Sequence, residues 1–186
     1  MKKEVCFVTG NKNKLIEMQD QFDEFDLTSK KLDLDEIQDM DLKVICEHKV
    51  KQAYELLKCP VIVEDSGFYL DVMNGLPGPF IKFFEQKLGY EALIKLLGDE
   101  RNRSGSPRTC IVFYDGENMI ISQGEVRGNV TMELSEGGEG FGFDFCFIPN
   151  GYDKTFSELG IEVKKKISQR ANAIKNFKLD YKNKFD

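Results

Sequence analysis

The sequence predicts an α/β fold built on a mixed β-sheet. Short apolar strands alternate along its 186 residues with amphipathic helices, which is the order of elements typical of α/β proteins. Two β-rich segments around a polar turn predict a long central hairpin, which adds antiparallel strands to the sheet. With 41% apolar residues, the chain suits a single domain spanning residues 1–186, built either as one compact body or as two lobes around a continuous core.

The first third of the chain predicts two strands that each meet a helix. Glu4–Thr9 is rich in Val and Phe and reads as a strand, which stops at a turn of Gly and Asn residues before a helix from about Lys14. Apolar side chains recur at three- and four-residue intervals over residues 42–57, which predicts a second helix that ends before Pro60. Val61–Val63 then reads as a buried strand.

The remaining elements follow in order. Two prolines and two glycines make Asn74–Pro79 a rigid loop. Beyond it we expect helical turns through Phe84, Leu88, Leu93 and Leu97, a hairpin of Thr109–Tyr114 with Met119–Val126, a glycine-rich loop at Gly137–Gly142, a strand at Phe145–Ile148, and a C-terminal helix with an apolar stripe from Ile167 to Tyr181.

Charge and hydropathy exclude several classes of protein. The net charge is −6 and no run of five basic residues occurs, so a polymer of nucleic acid is not the expected partner. No apolar stretch reaches the length of a membrane span and the N-terminal segment lacks the features of a signal peptide, so we expect a cytoplasmic protein without a membrane partner.

Cysteine and histidine usage argues against a disulfide framework and against histidine chemistry. The five cysteines are scattered, and no two of them form a CxxC pair, so neither disulfides nor a zinc site are expected. His48, the only histidine, lies in a helical pattern without another histidine or cysteine at ligand spacing. A packed or solvated helix position is the expected role.

A candidate anion site is the loop Thr9-Gly10-Asn11-Lys12-Asn13-Lys14. It joins a strand to a helix N-terminus, where unpaired amides and the positive end of the helix dipole favour an anion. The loop does not have the Walker A sequence. Taken alone, it is equally consistent with a polar turn that carries solvated lysines.

A candidate metal site follows from acids near the same expected edge of the sheet. Glu64-Asp65-Ser66-Gly67 is expected to leave the second strand at its carboxyl end, where α/β proteins hold ligands, and Glu36 offers a further carboxylate. Carboxylates beside a phosphate site require a divalent cation, and Mg²⁺ takes one or two carboxylates with waters and phosphate oxygens. Any one of these acids taken singly reads as an exposed loop residue.

The ordered combination of motifs resembles a known family. From end to end the chain carries Thr9-Gly10-Asn11-x-x-Lys14, Glu36, Lys49, Val63-Glu64-Asp65-Ser66-Gly67, Gly75-Leu-Pro-Gly78 with Lys82, Phe141-Gly-Phe-Asp144, Thr155-Phe-Ser-Glu158 and Lys164-x-x-x-Ser168-Gln-Arg170. This set closely resembles the inosine and xanthosine triphosphate pyrophosphatase family over nearly the whole chain.

The resemblance implies an elongated mixed sheet flanked by helices, with two lobes around a substrate cleft, and a homodimer. The implied reaction converts inosine, deoxyinosine or xanthosine triphosphate to the monophosphate and pyrophosphate. Asp65 is the implied catalytic residue, and Glu36 and Asp65 are the implied Mg²⁺ ligands. The implied substrate-binding residues are Thr9, Gly10, Asn11, Lys12, Asn13, Lys14, Lys49, Ser66, Lys82, Phe141, Gly142, Phe143, Asp144, Lys164, Gln169 and Arg170.

Base selectivity is where the chain departs from the family. The family usually has histidine where Gln169 stands, and glutamine hydrogen-bonds but carries no proton charge, so the purine preference and pH profile are expected to shift. Arg170 offers only donors, which suit a 6-keto purine and not adenine. Phe141 or Phe143 is expected to stack on the base.

Two other functions are consistent with the same residues. One is a related nucleotide pyrophosphatase with a different base preference. The other is a nucleotide-binding sensor without catalysis.

Overall fold

The computed structural model describes residues 2–19, 21–22 and 25–185. Within them the strands are β1 (Lys3–Val8), β2 (Phe25–Lys30), β3 (Val61–Leu70), β4 (Pro77–Gly78), β5 (Ser104–Tyr114), β6 (Met119–Glu125), β7 (Gly128–Val130) and β8 (Phe147–Pro149). The helices are α1 (Lys12–Gln19), α2 (Leu42–Leu57), α3 (Ile81–Leu88), α4 (Ala92–Leu97), α5 (Phe156–Leu159), α6 (Ile161–Ile167) and α7 (Gln169–Phe185).

The strands form one mixed sheet with the order β2-β1-β3-β5-β7-β8, in which β4 pairs with β3 and β6 pairs with β5. β1 runs parallel to β2 and to β3, whereas β3–β4, β5–β7 and β7–β8 are antiparallel. The predicted mixed α/β fold is therefore confirmed. None of the described helices combines the length and apolar character needed to cross a membrane.

Contacts divide the chain into two compact units. The first unit comprises the described parts of 1–65, 109–124 and 173–186, and the second comprises 66–108 and 125–172. The core of the first unit gathers side chains from β1, β3, β5, β6, α1 and α7, among them Val5, Phe7, Ile62, Phe113 and Phe177. The core of the second unit includes Phe68, Leu70, Leu93, Phe147 and Phe156.

Several predicted elements are confirmed, and local contacts explain where they begin and end. α2 begins where the Asp41 side chain accepts the N–H of Lys43. It ends at Leu57, and the cap residue Lys58, with a left-handed backbone (φ 52°), leads towards Pro60. The hairpin of β5 and β6 turns at Asp115, whose Oδ1 accepts the N–H of Asn118 at 2.8 Å. The predicted turns through Phe84 to Leu97 form α3 and α4.

β3 corrects the predicted end of the second strand. Glu64–Gly67 do not leave the sheet, because β3 continues to Leu70. Phe68 and Leu70 are fully buried, and β4 pairs antiparallel with this extension. A side chain at Gly67 would bring its Cβ within 2.8 Å of the Gly78 backbone, so the close approach of β3 and β4 requires glycine there.

Other differences concern short or polar elements. β2 and β7 were not expected from the sequence, and the strand predicted at Phe145–Ile148 is shifted to Phe147–Pro149 behind a 3₁₀ turn. Ile167 closes α6 and packs in the second unit, whereas Ile174 and Phe177 lie in the core of the first. The predicted single stripe of the C-terminal helix is therefore divided between α6 and α7.

All five cysteines are free. Cys6, Cys46, Cys110 and Cys146 are buried, and Cys59 is partly exposed. The expectation that the chain carries no disulfide framework agrees with these environments.

Candidate active site

The loop between β1 and α1 is a helix cap as well as a candidate anion site. Asn11 Oδ1 accepts the backbone N–H groups of Asn13 (2.9 Å) and Lys14 (3.2 Å), and Thr9 Oγ1 accepts that of Asn11 (3.1 Å). The amides expected to face an anion are thus partly occupied by side-chain acceptors, since Asn is a favourable N-cap residue. Gly10, Lys12 and Asn13 are exposed, so the loop remains accessible.

Lys14 joins this loop to β3. Its Nζ lies 3.3 Å from Glu64 Oε1 and 3.9 Å from Asp65 Oδ1. The Glu64 side chain is buried, so the lysine neutralises a carboxylate that water does not reach. The Lys14 ammonium group at the end of the loop and the carboxylates of Glu64 and Asp65 on β3 therefore lie next to one another in the first unit.

Lys49 links two of the predicted carboxylates. From α2, its Nζ lies 3.2 Å from Glu36 Oε1 and 3.2 Å from Asp65 Oδ2. Burial lowers the pKa of Lys49, but the charges of Asp65 and Glu36 and their hydrogen bonds outweigh burial and raise the pKa above its ordinary value. Lys49 therefore keeps its positive charge, and Asp65 is flanked by two ammonium groups, those of Lys14 and Lys49.

The donor set fits Mg²⁺ at Glu36 and Asp65. Carboxylate oxygens of both residues converge on the same ammonium nitrogen, so they lie close enough to share a cation. In the described part of the chain no group of three or more His, Cys, Asp and Glu side chains is placed to hold a metal ion. Mg²⁺ needs only one or two carboxylates when waters and phosphate oxygens complete its octahedron.

In the second unit, a buried ion pair organises the Phe141–Asp144 segment. Lys164 Nζ donates to Asp144 Oδ2 at 2.6 Å, and the same oxygen accepts the backbone N–H of Phe141 at 2.9 Å. Asp144 and Lys164 are 1% and 2% exposed. Because both side chains lie out of water, the pair fixes the position of the 3₁₀ turn that begins after Phe141.

Phe141 and Phe143 have different environments. Lys164 Nζ lies 4.2 Å from the centroid of the Phe141 ring, and the Arg170 guanidinium carbon lies 5.9 Å from it. Phe143 instead packs edge-on against Phe68 with centroids 5.1 Å apart, as part of the core of the second unit. Phe141 is therefore the ring with cationic surroundings and Phe143 is a core ring.

The start of α7 presents two buried polar side chains. Arg170 is 2% exposed, and its Nη2 lies 3.5 Å from Ser66 Oγ, at the limit for a hydrogen bond. Gln169 is 1% exposed, and its Oε1 has no hydrogen-bond partner among the described residues. Leaving such an acceptor buried and unsatisfied costs about 1–3 kcal/mol.

Two other predicted features are a single lysine on α3 and a motif that caps a helix. Lys82 is exposed in the first turn of α3. The Thr155-Phe-Ser-Glu158 motif is a capping box, in which Glu158 Oε2 accepts the N–H of Thr155 at 2.8 Å and Thr155 Oγ1 accepts that of Glu158 at 3.4 Å. This motif therefore begins α5.

Glu85 is a neighbour of the Phe141–Asp144 segment that the sequence did not indicate. Gly142 has φ +60°, and a Cβ placed there would lie 2.8 Å from Glu85 Oε1, so this position requires glycine. Burial, and then the charge of Asp144, raises the pKa of Glu85 to about 7. From the sequence alone, Glu85 cannot be told apart from a solvent-exposed acid on a helix. Only the packing of the 3₁₀ turn against α3 shows that it lies beside Gly142.

Lys31 is a second residue that the sequence did not indicate. Its methylene groups lie 3.3 Å from a Cβ built on Gly10. Parallel pairing of Val8 with Lys30 ends β1 and β2 at the same edge of the sheet, which brings Lys31 beside the loop. Because β2 was not predicted, this lysine had no signal in the sequence.

Comparison with known proteins identifies relatives along nearly the whole chain. The model of the Ham1 family matches residues 5–179. A dITP/XTP pyrophosphatase of Methanopyrus kandleri is 38% identical over 182 residues, covering 96% of each chain. An inosine triphosphate pyrophosphatase of Candida glabrata is 39% identical over 186 residues, covering 94% of this chain and 95% of the relative.

Solved structures agree on the fold. The Ham1 protein of Staphylococcus aureus superposes with a TM-score of 0.84 at 25% identity, covering 98% of this chain and 100% of that protein. A HAM1 protein of Coxiella burnetii gives a TM-score of 0.84 at 22% identity, covering 99% and 100%. The mixed α/β architecture is therefore common to these proteins.

Proposed function

Because the chain belongs to the Ham1 family, we propose that it is a Mg²⁺-dependent pyrophosphatase that hydrolyses non-standard purine nucleoside triphosphates. ITP, dITP and XTP are the proposed substrates, and the nucleoside monophosphate and pyrophosphate are the products. The names of the matched relatives, dITP/XTP pyrophosphatase and inosine triphosphate pyrophosphatase, support this activity. Removal of such nucleotides would cleanse the nucleotide pool.

The observation that carries the proposal is the placement of Asp65 against Lys14 and Lys49. A triphosphate carries several negative charges, and phosphoryl transfer is catalysed mainly by positioning the groups and neutralising charge. The two ammonium groups supply neutralising charge, and Lys12 and Lys31 add more at the exposed loop. A carboxylate held among these cations is the group placed to act on a water molecule.

Glu36 and Asp65 would hold Mg²⁺. The cation would neutralise phosphate oxygens that would otherwise be repelled by the acids of β3. Lys49 contacts both carboxylates and would then be released to donate to a phosphate oxygen, which its single mobile ammonium group can do.

Asp65 acts as the general base. The water oxygen forms a bond to the α-phosphorus while the bond from that phosphorus to the bridging oxygen breaks, and pyrophosphate leaves. Asp65 accepts the proton that the water loses, and Lys14 keeps the carboxylate oriented from the loop side. The lysine side chains neutralise the negative charge on the departing pyrophosphate.

The groups proposed for base recognition come from the Phe141–Asp144 segment and from the start of α7. Phe141 offers a ring face, and Arg170 offers donors to a 6-keto oxygen. Adenine carries an amino donor at that position, so ATP is expected to be rejected. The buried pair of Asp144 with Lys164 positions Phe141 and does not itself need to contact the base.

Product analysis tests the proposal. The chain is incubated with ITP, XTP, GTP and ATP, each with Mg²⁺ and with a chelator, and the products are separated by ion-exchange chromatography. Monophosphate with pyrophosphate from ITP and XTP, only with Mg²⁺, is expected. Diphosphate with orthophosphate would mean cleavage of the other anhydride bond and would overturn the proposal.

The same assay, extended to UTP and dTTP and combined with a measurement of ITP binding, separates the two alternatives. Equal release of pyrophosphate from ITP, UTP and dTTP would indicate a pyrophosphatase with a different base preference. Tight binding of ITP without any product would indicate a sensor. The homodimer implied by the resemblance and the cytoplasmic location expected from the sequence are further predictions, for which sedimentation and cell fractionation are the measurements.

A further inference from the structure

The segment that carries Glu36 has no regular secondary structure. Residues 31–39 lie between β2 and α2, and none of them belongs to a helix or a strand. The Glu36 side chain is 47% exposed, and its Oε1 accepts a hydrogen bond from Lys49 Nζ at 3.2 Å. Ordering such a segment around a ligand costs conformational entropy, so its carboxylate binds a cation more tightly when the backbone is already held.

The side chain of Gln52 holds this backbone one residue before Glu36. Gln52 Oε1 accepts the backbone N–H of Asp35 at 3.1 Å, and Gln52 Nε2 donates to the backbone carbonyl oxygen of Asp35 at 3.3 Å. One amide thus binds both polar backbone groups of a single residue, as the opposite residue of a hydrogen-bonded pair does in an antiparallel sheet. Gln52 follows Lys49 by three residues, so both side chains leave the same face of α2.

His48 fixes the orientation of the Gln52 amide. A backbone N–H only donates, so the atom that faces the Asp35 nitrogen must be the amide oxygen, and the amide nitrogen occupies the other position. That nitrogen lies 2.8 Å from His48 Nδ1. Nδ1 is therefore the acceptor, and neutral His48 carries its proton on Nε2. The two amide hydrogens serve the Asp35 carbonyl group and His48, so all the contacts agree on one orientation.

We propose that Gln52 is a positioning residue, whose amide holds the backbone of Asp35 and thereby places the Glu36 carboxylate to bind a divalent cation together with Asp65. This inference rests on the proposed function and adds a residue on which its metal site depends. Gln52 contributes no ligand atom and acts through Glu36. Side chains that orient metal ligands in this way change the metal affinity when they are replaced.

Mn²⁺ binding tests the inference without relying on turnover. Carboxylate oxygens and waters suit Mn²⁺ as they suit Mg²⁺, and the free ion is measured by electron paramagnetic resonance. Gln52→Met has a similar length but no amide, so its Kd for Mn²⁺ is expected to rise about three- to tenfold, the net size of one hydrogen bond. An unchanged Kd would overturn the inference.

A second background shows whether Gln52 acts through Glu36. Glu36→Gln removes one proposed ligand charge and should itself weaken Mn²⁺ binding. Adding Gln52→Met to this variant should change the Kd by less than about twofold, because the carboxylate that Gln52 positions is gone. A further loss by the full factor would show a general effect on the fold and would contradict the inference.

Hydrolysis of ITP supplies the second readout. In Gln52→Met the Mg²⁺ concentration that gives half the maximal rate should rise by the same factor, whereas kcat at saturating Mg²⁺ should stay within about twofold of the wild type. Gln86→Met makes the same change at an exposed glutamine on α3 and should leave both values unchanged. Thermal melting verifies that each variant folds.

The possible failures are distinguishable. If the wild type hydrolyses ITP but Gln52→Met keeps the wild-type Kd for Mn²⁺, the inference is wrong and the proposed function stands. If the wild type hydrolyses ITP but binds no Mn²⁺, the proposed metal site is wrong, and so is the inference. If the wild type does not hydrolyse ITP, the proposed function is wrong and the inference falls with it.

Discussion

Asp144 and Lys164 form a buried ion pair in the second unit, with Nζ 2.6 Å from Oδ2 and neither side chain more than 3% exposed. Two opposite charges out of water are costly to separate, because the one that remains has no solvent to replace its partner. Since Oδ2 also accepts the N–H of Phe141, the pair holds the segment that carries the candidate stacking ring.

Replacing one member of this pair should be more harmful than replacing both. Lys164→Met removes the ammonium group that faces the buried Asp144 carboxylate and is expected to destabilise the fold by about 3–5 kcal/mol. The double variant with Asp144→Asn should recover most of that loss, because the remaining amide is neutral and still accepts a hydrogen bond. Urea denaturation measures both, with Lys166→Met as the exposed control on α6. Equal midpoints for Lys164→Met and Lys166→Met would contradict the prediction.

Asp65 is expected to be essential for turnover and dispensable for folding. Asp65→Asn keeps the size of the side chain and one acceptor oxygen. It cannot take a proton from water, so kcat should fall by about 10²–10⁴-fold. The assay is pyrophosphate release from ITP at saturating Mg²⁺. Asp35→Asn, at an exposed acid next to Glu36, should retain normal turnover. Near-normal kcat in Asp65→Asn would exclude this residue as the base.

Glu85 predicts a pH dependence of stability. Its pKa is raised from 4.5 to about 7 in the folded chain, so the folded state holds this proton more tightly than the unfolded state does. Its contribution to stability is present below pH 4.5 and is lost as the pH rises to about 7. The total loss is on the order of 1–3 kcal/mol.

Glu85→Gln removes the ionisation, so the variant should gain stability over the wild type between pH 4.5 and about 7, with a constant difference above that range. Denaturation at pH 4.5, 6 and 8 measures the difference. Glu136→Gln, at an exposed position in the same unit, should follow the wild type at each pH. A Glu85→Gln difference that does not change with pH would show that the carboxyl group titrates normally.

Lys31 is expected to assist binding of the phosphates without a part in the chemistry. Because its stem packs against Gly10, Lys31→Ala should raise KM for ITP about two- to fivefold, which is the size of an exposed charge interaction, and leave kcat unchanged. The effect should shrink as the salt concentration rises. Lys43→Ala, an exposed lysine on α2, is the control. A change in kcat at Lys31 would assign it a different role.

Elements with strong local patterns were predictable from the sequence, and those defined by their partners were not. α2 combines a cap, an apolar stripe and a following proline, and each of these signals acts locally. β2 has one buried residue, Phe25, and is mostly polar, because it lies at the edge of the sheet beside β1. Only pairing with β1 makes such a segment a strand.

The same distinction holds for the site residues. Lys14, Lys49 and Asp65 belong to ordered motifs, and the structure brings them together in the first unit. Glu85 and Lys31 owe their positions to tertiary contacts with Gly142 and Gly10, which no spacing in the sequence encodes. The environment of Phe143 likewise required the packed core of the second unit.

The cysteines differ in their exposure to solvent, and this difference should allow one of them to be labelled selectively. Burial, together with the charges of Glu85 and Asp144, raises the pKa of Cys146 to about 12, and burial likewise raises the pKa of Cys6. Cys59 is the one thiol that solvent reaches appreciably. A maleimide dye added to the folded chain should therefore attach once, at Cys59, and provide a fluorescent reporter without any engineered cysteine.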